Sequence, residues 1–288
     1  MDITTAVLVG GTFAAILFGL AKTGIPPVGA FGVAILASVL PPVASTGVAL
    51  PVLMAGDIVA VSTYGRDVRW RIILGLIPTV TIGVLAGFAA VRWAPEAVSG
   101  RLVGAVLLLA ALGEMIQRLL ARRRARRAGP AAPPEEALST GEEPDGSHLD
   151  DAVSPDTVPP HAGEGTPDSV SSRVARGALG TAAGFSTMVA NSGGPAMTLY
   201  LMRTNVSRAG LLGTVAIFFL TVNLVKVPFS IGLGLITPES LRISAAMLPG
   251  LVVGMILGRI FARKAPGPAF DVIVLVATAA AGTRLLIG

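Results

Sequence analysis

The sequence predicts an all-α polytopic membrane protein built as two inverted repeats. Each repeat has about five helical segments, one of them a broken or re-entrant short helix. Three observations carry this. The 288 residues are 52% hydrophobic and only 14% charged, with a mean hydropathy of +0.75, whereas a soluble domain carries about 25% charged residues. Apolar stretches near the ~20 residues that cross a bilayer recur along the chain. A long polar insertion then divides these stretches into two halves of matching layout.

In the first half the expected segments are 3–21, a short one at 28–40, then 44–64, 70–92 and 98–119. The opening "MDITTAVLVGG" has no basic n-region and no A-x-A-like cleavage site, so it is read as the start of the first span and not as a removable signal. In the second half the segments are 174–190, a short one at 194–203, then 208–231, 241–262 and 269–287. At 1.5 Å per residue the short segments reach only ~20 and ~15 Å, less than a ~30 Å hydrocarbon core. Each therefore pairs with the helix before it. Trp70, Trp93, Tyr64 and Tyr200 fall near span ends, where amphipathic rings settle at the interface.

The domain boundaries follow: a first membrane repeat over 1–120, a disordered linker over 121–172 and a second repeat over 173–288. The linker opens with five Arg between Arg122 and Arg127. Ten of the chain's 17 acidic residues follow between Glu135 and Asp168, among Pro, Gly and Ser. Such a composition buries too little apolar area to offset ordering entropy.

The two halves share sequence. Displaced by 171 residues, "RIILGLIPTVTIGVLAGFAAVRWAP" from Arg71 matches "RISAAMLPGLVVGMILGRIFARKAP" from Arg242 at eight of 25 positions. The matches include Pro78/Pro249, Gly83/Gly254 and Gly87/Gly258. The glycine pairs form small-xxx-small motifs, which let helix backbones approach closely in lipid. Packing across the two repeats and packing within one both satisfy them. Orientation follows from Lys and Arg in short loops. Arg66, Arg69, Arg71 and the Arg122–Arg127 cluster mark cytoplasmic loops, as do Arg203, Arg208, Arg263 and Lys264. Equivalent loops of the halves then lie on opposite sides. The linker is cytoplasmic, both termini lie outside, and Arg92 and Arg101 are exceptions to the rule. The expected location is the cell membrane.

Several function classes drop out. Without cysteine there is no thiol catalysis, iron–sulfur cluster or disulfide. His148 and His161 both lie in the linker, so the spans hold neither a histidine metal site nor a Ser-His-Asp triad. No Walker A sequence is present. No cofactor and no nucleic-acid partner are expected, since the net charge of +5 is scattered over loop ends. A homo-oligomer is compatible with the sequence.

Inverted repeats with interrupted helices in matching places are the layout of a secondary transporter. One break is "MVANSGGPAMT", Met188 to Thr198, and its counterpart is "KTGIPPVG", Lys22 to Gly29. Non-helical backbone at membrane depth survives where protein buries it or where it lines a cavity. A helix starting after such a break offers free N–H groups to an anion. The expected substrate site comprises Lys22, Thr23, Gly24, Asn191, Ser192, Gly193, Gly194, Asn223 and Lys226. Charges inside spans are costly and functional by default. Lys22 either compensates an anion or snorkels to the interface. Lys226 in "TVNLVKVPF" is read as a cation facing the pathway. Asp57 in "LMAGDIVAV" is either a proton carrier, with H⁺ as the coupling ion, or the ion-pair partner of Lys22 or Lys226. Glu114 and Arg118, four apart, form a structural pair. The bland alternative for the breaks is a tight turn of Gly and Pro, disfavoured because two breaks occupy matching places, and a Ser192–Lys226 hydrolase dyad is a further alternative.

The stretch "AKTGIPPVGAFGVAILASVLPPVASTGVALPVLMAGDIVAVSTYGRDVRWRII" resembles the first repeat of the TauE/SafE sulfite-exporter family, grouped with the toluene-sulfonate uptake permeases. The Gly-rich break, Gly56–Asp57 and the pattern Tyr64, Arg66, Val68, Trp70, Arg71 carry the likeness. "GFSTMVANSGGPAMTLYLMRTNVSRAGLLGT" resembles the second repeat's break and following span. The resemblance implies ion-gradient-driven movement of sulfite, sulfonates, thiosulfate or related organosulfur acids. The Pro26–Pro27 pair and the long acidic linker depart from the family pattern and leave the substrate open. A carrier of another small anion, such as a carboxylate, is the alternative on the same scaffold. Deleting 128–168 is expected to leave a folded protein with normal flux in proteoliposomes. Lost flux from a stable deletion protein would show that the linker is more than a joint.

Overall fold

In a computed structural model the described residues are 5–23, 28–65, 68–127, 170–194, 196–197, 208–264 and 268–287. They form nine helices and no strand. In the first half these are α1 (Thr5–Thr23), α2 (Val28–Val39), α3 (Pro42–Tyr64), α4 (Trp70–Trp93) and α5 (Glu96–Arg127). In the second they are α6 (Val170–Ala190), α7 (Arg208–Gly232), α8 (Pro238–Lys264) and α9 (Pro268–Ile287).

Among the described residues six helices are long and apolar enough to cross a membrane: α1, α3, α4, and the apolar parts of α5, α7 and α8. The sequence led us to expect eight such spans. The difference lies in α6 and α9. The first turns of α6 read "SSRVARG", so its apolar part is short. The apolar run of α9 spans Val274–Ile287. Leu74, Ile82, Leu109, Val252 and Ile256 are all exposed on the outside of the bundle, a surface too apolar for water and suited to lipid. Trp70 and Trp93 sit exposed at the two ends of α4, as an interfacial belt requires. The protein is a multi-pass membrane protein.

Two boundaries differ from those read off the sequence. Helix α5 continues through the arginine cluster to Arg127, and α6 begins at Val170. The linker's outer residues are thus helical; 128–169 lie outside the described residues. Arg and Ala are strong helix formers, so the cluster extends the helix.

Helix α2 packs back on α1. Gly10 faces Val39, Gly32 faces Phe18 and Gly29 faces Ala21, so the two run antiparallel. At 1.5 Å per residue the 12-residue α2 is ~18 Å long. The corresponding short segment of the second half is described only at Gly194, Ala196 and Met197, which are helical.

The strongest packing joins the two halves. Helix α1 lies on α8, α4 on α6, α5 on α9 and α3 on α7. Counting the short segment of each half as its second, the pairing is reciprocal, the first helix of each half against the fourth of the other. Glycines make it possible. A Cβ on Gly254 would meet the Ile16 carbonyl, and one on Gly83 the Thr181 carbonyl. Gly258 faces Leu20 and Thr23, while Gly87 faces Met188. The small-xxx-small motifs therefore pack across the halves. Helices α1 and α8 run in the same direction, as Gly11 meets Met247 and Gly258 meets Thr23. Helices α4 and α6 do likewise, with Gly75 against Arg176 and Gly87 against Met188. Helices α5 and α9 run antiparallel, Gly104 lying against Leu285 and Leu108 against Gly282.

Gly254→Val should cost about 1–3 kcal/mol or prevent folding, as overpacking does. Nothing lies within 4 Å of a Cβ on Gly177, so Gly177→Ala should raise stability by about 0.5–1 kcal/mol through helix propensity. Thermal unfolding in detergent reads both; equal behaviour of the two variants would refute the close-packing account.

Candidate functional site: a polar chain along a membrane cavity

Helix α6 ends where Asn191 turns left-handed, with φ of 48°. Asparagine is one of the few non-glycine residues that tolerates this conformation. Its N–H still bonds the Thr187 carbonyl at 3.0 Å, and the Ser192 N–H reaches the Ser186 carbonyl at 3.3 Å. The chain then turns back on α6, where Gly193 packs against Ala183 and Thr187. The Met197 N–H bonds the Gly193 carbonyl, which begins a new helical turn. Side chains hold the break in place. Asn191 Nδ2 donates to the Thr46 carbonyl of α3 at 2.9 Å, and Asn191 Oδ1 accepts from Lys226 Nζ.

The break opens on a cavity of about 170 Å³. Helices α1, α2, α3, α5, α6, α7 and α9 all contribute to its wall. Most of the wall is apolar, from residues such as Ala30, Leu53 and Phe219. Most of its polar residues belong to one connected network. Lys22 Nζ forms an ion pair with Asp57. The other carboxylate oxygen of Asp57 accepts from Asn223 Nδ2 at 2.8 Å. Asn223 Oδ1 lies 3.5 Å from Lys226 Nζ, which also reaches Thr187 Oγ1 at 3.4 Å. Lys22 lies over the ring of Phe219, 5.1 Å from its centroid, where the ring quadrupole favours a cation. Asp57 and Lys226 are almost wholly buried.

The residues expected at the site divide into three groups. Lys22, Asn191, Ser192, Gly194 and Asn223 line the cavity together with Asp57. Lys226 does not line it; it sits behind the wall, held by Thr187, Asn191 and Asn223, which do. Thr23 and Gly193 also lie off the wall. The Thr23 hydroxyl donates to the Gly19 carbonyl at 2.9 Å and packs against Gly258. Gly24 lies outside the described residues. Of the two partners considered for Asp57, the structure gives it Lys22. The Ser192–Lys226 dyad is not formed, because Ser192 Oγ has no hydrogen-bond partner among the described residues. Glu114 pairs with Arg118 at 3.2 Å and adds a carboxylate to the wall from α5. Thr187 and Phe219 are wall residues that the sequence did not single out. A hydroxyl or a ring in an apolar helix carries no local signal of where it points.

One ammonium group, Lys22, thus stands on the cavity wall and a second, Lys226, behind it, with Asp57 and Asn223 linking the two. Lys22 has a carboxylate; the described partners of Lys226 are all neutral. A buried cation without a counter-charge favours an anion nearby. No group of three or more metal-ligating side chains occurs among the described residues.

Breaking the Lys22–Asp57 pair from one side should be costly. Lys22→Met should lower stability by about 3 kcal/mol, because it leaves a buried carboxylate uncompensated. Adding Asp57→Asn should recover much of that loss. Chemical denaturation in detergent measures both, and a double variant as unstable as the sum of the single ones would mean that the two groups do not interact.

No match is found among curated proteins or among solved structures. The family of sulfite exporters TauE/SafE matches residues 6–285, nearly the whole chain and both sides of the cavity. The chain belongs to the sulfite exporter TauE/SafE family.

Proposed function

We propose that the protein is a secondary transporter, driven by an ion gradient, of small sulfur-containing anions such as sulfite, sulfonates or related organosulfur acids. The anion binds in the cavity between the two helix breaks, near the bilayer midplane. The observation that carries this reading is the charge balance of the cavity. Lys22 and Lys226 are joined to one carboxylate, Asp57, directly and through Asn223, while the other carboxylate of the wall, Glu114, is paired with Arg118, in a chain of an exporter family. Family membership supports movement of an anion across the membrane. The amides, hydroxyls and lysines of the site suit an oxoanion, while a hard cation would call for a cage of oxygen ligands.

Alternating access is attributed to two inverted repeats. Helix directions support it. The third helices of the halves, α3 and α7, meet in opposite senses: Gly47 lies near Leu235, Asp57 near Asn223, and the Arg69 N–H bonds Thr214. The fifth helices, α5 and α9, are likewise antiparallel. An in-plane two-fold axis relates equivalent helices in this way. On this reading the protein lies in the cell membrane, with the linker cytoplasmic and both termini outside. The coupling ion is H⁺, carried by Asp57, whose pairing with Lys22 makes its protonation state sensitive to an arriving anion.

Flux into proteoliposomes tests the function. Sulfite, thiosulfate, a small sulfonate, acetate and chloride are offered with and without a pH gradient. Gradient-accelerated flux of a sulfur oxoanion, with acetate and chloride excluded, is expected. Folded protein that moves none of the sulfur anions would refute the proposal. Asp57→Asn should retain exchange but lose acceleration by the gradient. Unchanged acceleration would take the proton off Asp57.

A further inference from the structure

Most hydroxyl side chains in these helices share one habit, Thr181 on the Thr79 carbonyl being an exception. They donate back to a carbonyl three or four residues earlier, as Thr46, Thr79, Thr81, Ser186 and Thr278 do. Two hydroxyls at the cavity break it. Thr187 follows Ser186 directly on α6, yet its oxygen accepts from Lys226 Nζ at 3.4 Å, and nothing among the described residues takes its proton. Ser192, just past the break, is buried, and its Oγ has no partner among the described residues. Both line the cavity, and both are at least nine-tenths buried, Thr187 being 3% and Ser192 5% exposed.

Lys226 explains the first case. An ammonium group has donors only. An oxygen facing it must present its lone pairs, and the hydroxyl proton turns away. Lys226 lies behind the wall and Thr187 lies in it, so the proton turns towards the cavity. The same ammonium sets the two amides. Oδ1 of Asn191 and of Asn223 face Lys226, which commits their Nδ2 groups to the Thr46 carbonyl and to Asp57. The hydroxyls of Thr187 and Ser192 are left as uncommitted donors flanking the helix break. A buried donor without an acceptor costs free energy until a ligand supplies one.

We propose that Thr187 and Ser192 are a paired-hydroxyl subsite that grips two oxygens of a small oxoanion, and that Lys226 is a positioning residue which holds Thr187 in its donor sense. This rests on the reading of the cavity as an anion path and names the groups that select the anion. Lys226 does not touch the substrate. The subsite takes ions with two acceptor oxygens, such as sulfite, over a spherical halide.

The test uses the full chain and sulfite as the probe. Two quantities are read: the half-saturating concentration for flux into proteoliposomes, and the sulfite-induced rise in melting temperature in detergent. Thr187→Val and Ser192→Ala should each raise the half-saturating concentration about tenfold or more, as loss of a hydrogen bond to a charged ligand does. Thr187→Ser, which keeps the hydroxyl, should stay within about threefold of the parent. Chloride should compete better against sulfite in Thr187→Val than in the parent protein. Lys226→Met should weaken sulfite, and adding Thr187→Val should weaken it no further, since coupled groups are not additive. Lys226→Gln replaces the Met variant if that one does not fold. Parent-like affinity in Thr187→Val and Ser192→Ala would overturn the subsite and leave transport standing. Multiplying effects of the Thr187 and Lys226 changes would overturn the positioning role. A parent protein with neither flux nor thermal shift for sulfite would remove the anion path and the subsite together.

Discussion

Polar groups withdrawn from water inside a bilayer must find partners within the protein, and the chain from Lys22 to Asn191 shows how this molecule meets that demand. Five side chains on α1, α3, α6 and α7 are linked end to end: Lys22, Asp57, Asn223, Lys226 and Asn191. Each satisfies the next. The left-handed residue that ends α6 is bonded through its side chain to both α3 and α7. The break is therefore held by tertiary contacts as well as by local sequence. An unpaired polar group costs several kcal/mol in hydrocarbon, which is why such a network is complete wherever it is not meant for a ligand.

The helix pairs around the network give it a rigid frame. Glycines bring α1 to α8 and α4 to α6 so closely that backbone meets backbone. In lipid, van der Waals contact of this kind replaces the hydrophobic effect as the source of cohesion. The cavity takes part of its wall from α1 of one pair and α6 of the other, so a relative movement of the two pairs would change its openings while each pair stays intact.

Much of this was legible in the sequence, for physical reasons. Lys22, Asp57 and Lys226 stand out because charge in an apolar run is costly and needs a cause. Asn191 to Pro195 stand out because that composition stops a helix. Gly83, Gly87, Gly254 and Gly258 announced close packing, though not which helices would meet. Other features were hidden. Lys226 was expected to face the pathway but lies behind Thr187, Asn191 and Asn223, a difference of one side-chain layer that a one-dimensional pattern does not encode. Thr23 looked like a donor beside a break, yet its hydroxyl bonds its own helix. Thr187 looked like an ordinary helical threonine, and only its unused proton sets it apart. Helix α5 outran its expected end because arginine, polar as it is, ranks close behind alanine as a helix former.

The pairing of α1 with α8 also has a consequence for biogenesis. The ribosome delivers α1 first, and its glycine-faced partner follows only after roughly 200 further residues. At 5–20 residues per second that is about ten seconds or more. Through this interval α1 inserts without the helix it is shaped to meet. Lys22 does not have to wait as long, because Asp57 arrives 35 residues later, within the same half. The first half can thus neutralise its own buried charges on emergence. Lys226, made late, enters the bilayer to find Thr187 and Asn191 already in place. The order of synthesis and the order in which charges find partners agree, and the interfaces that wait longest, α1 with α8 and α5 with α9, are apolar glycine-bearing faces that lipid can cover meanwhile at little cost.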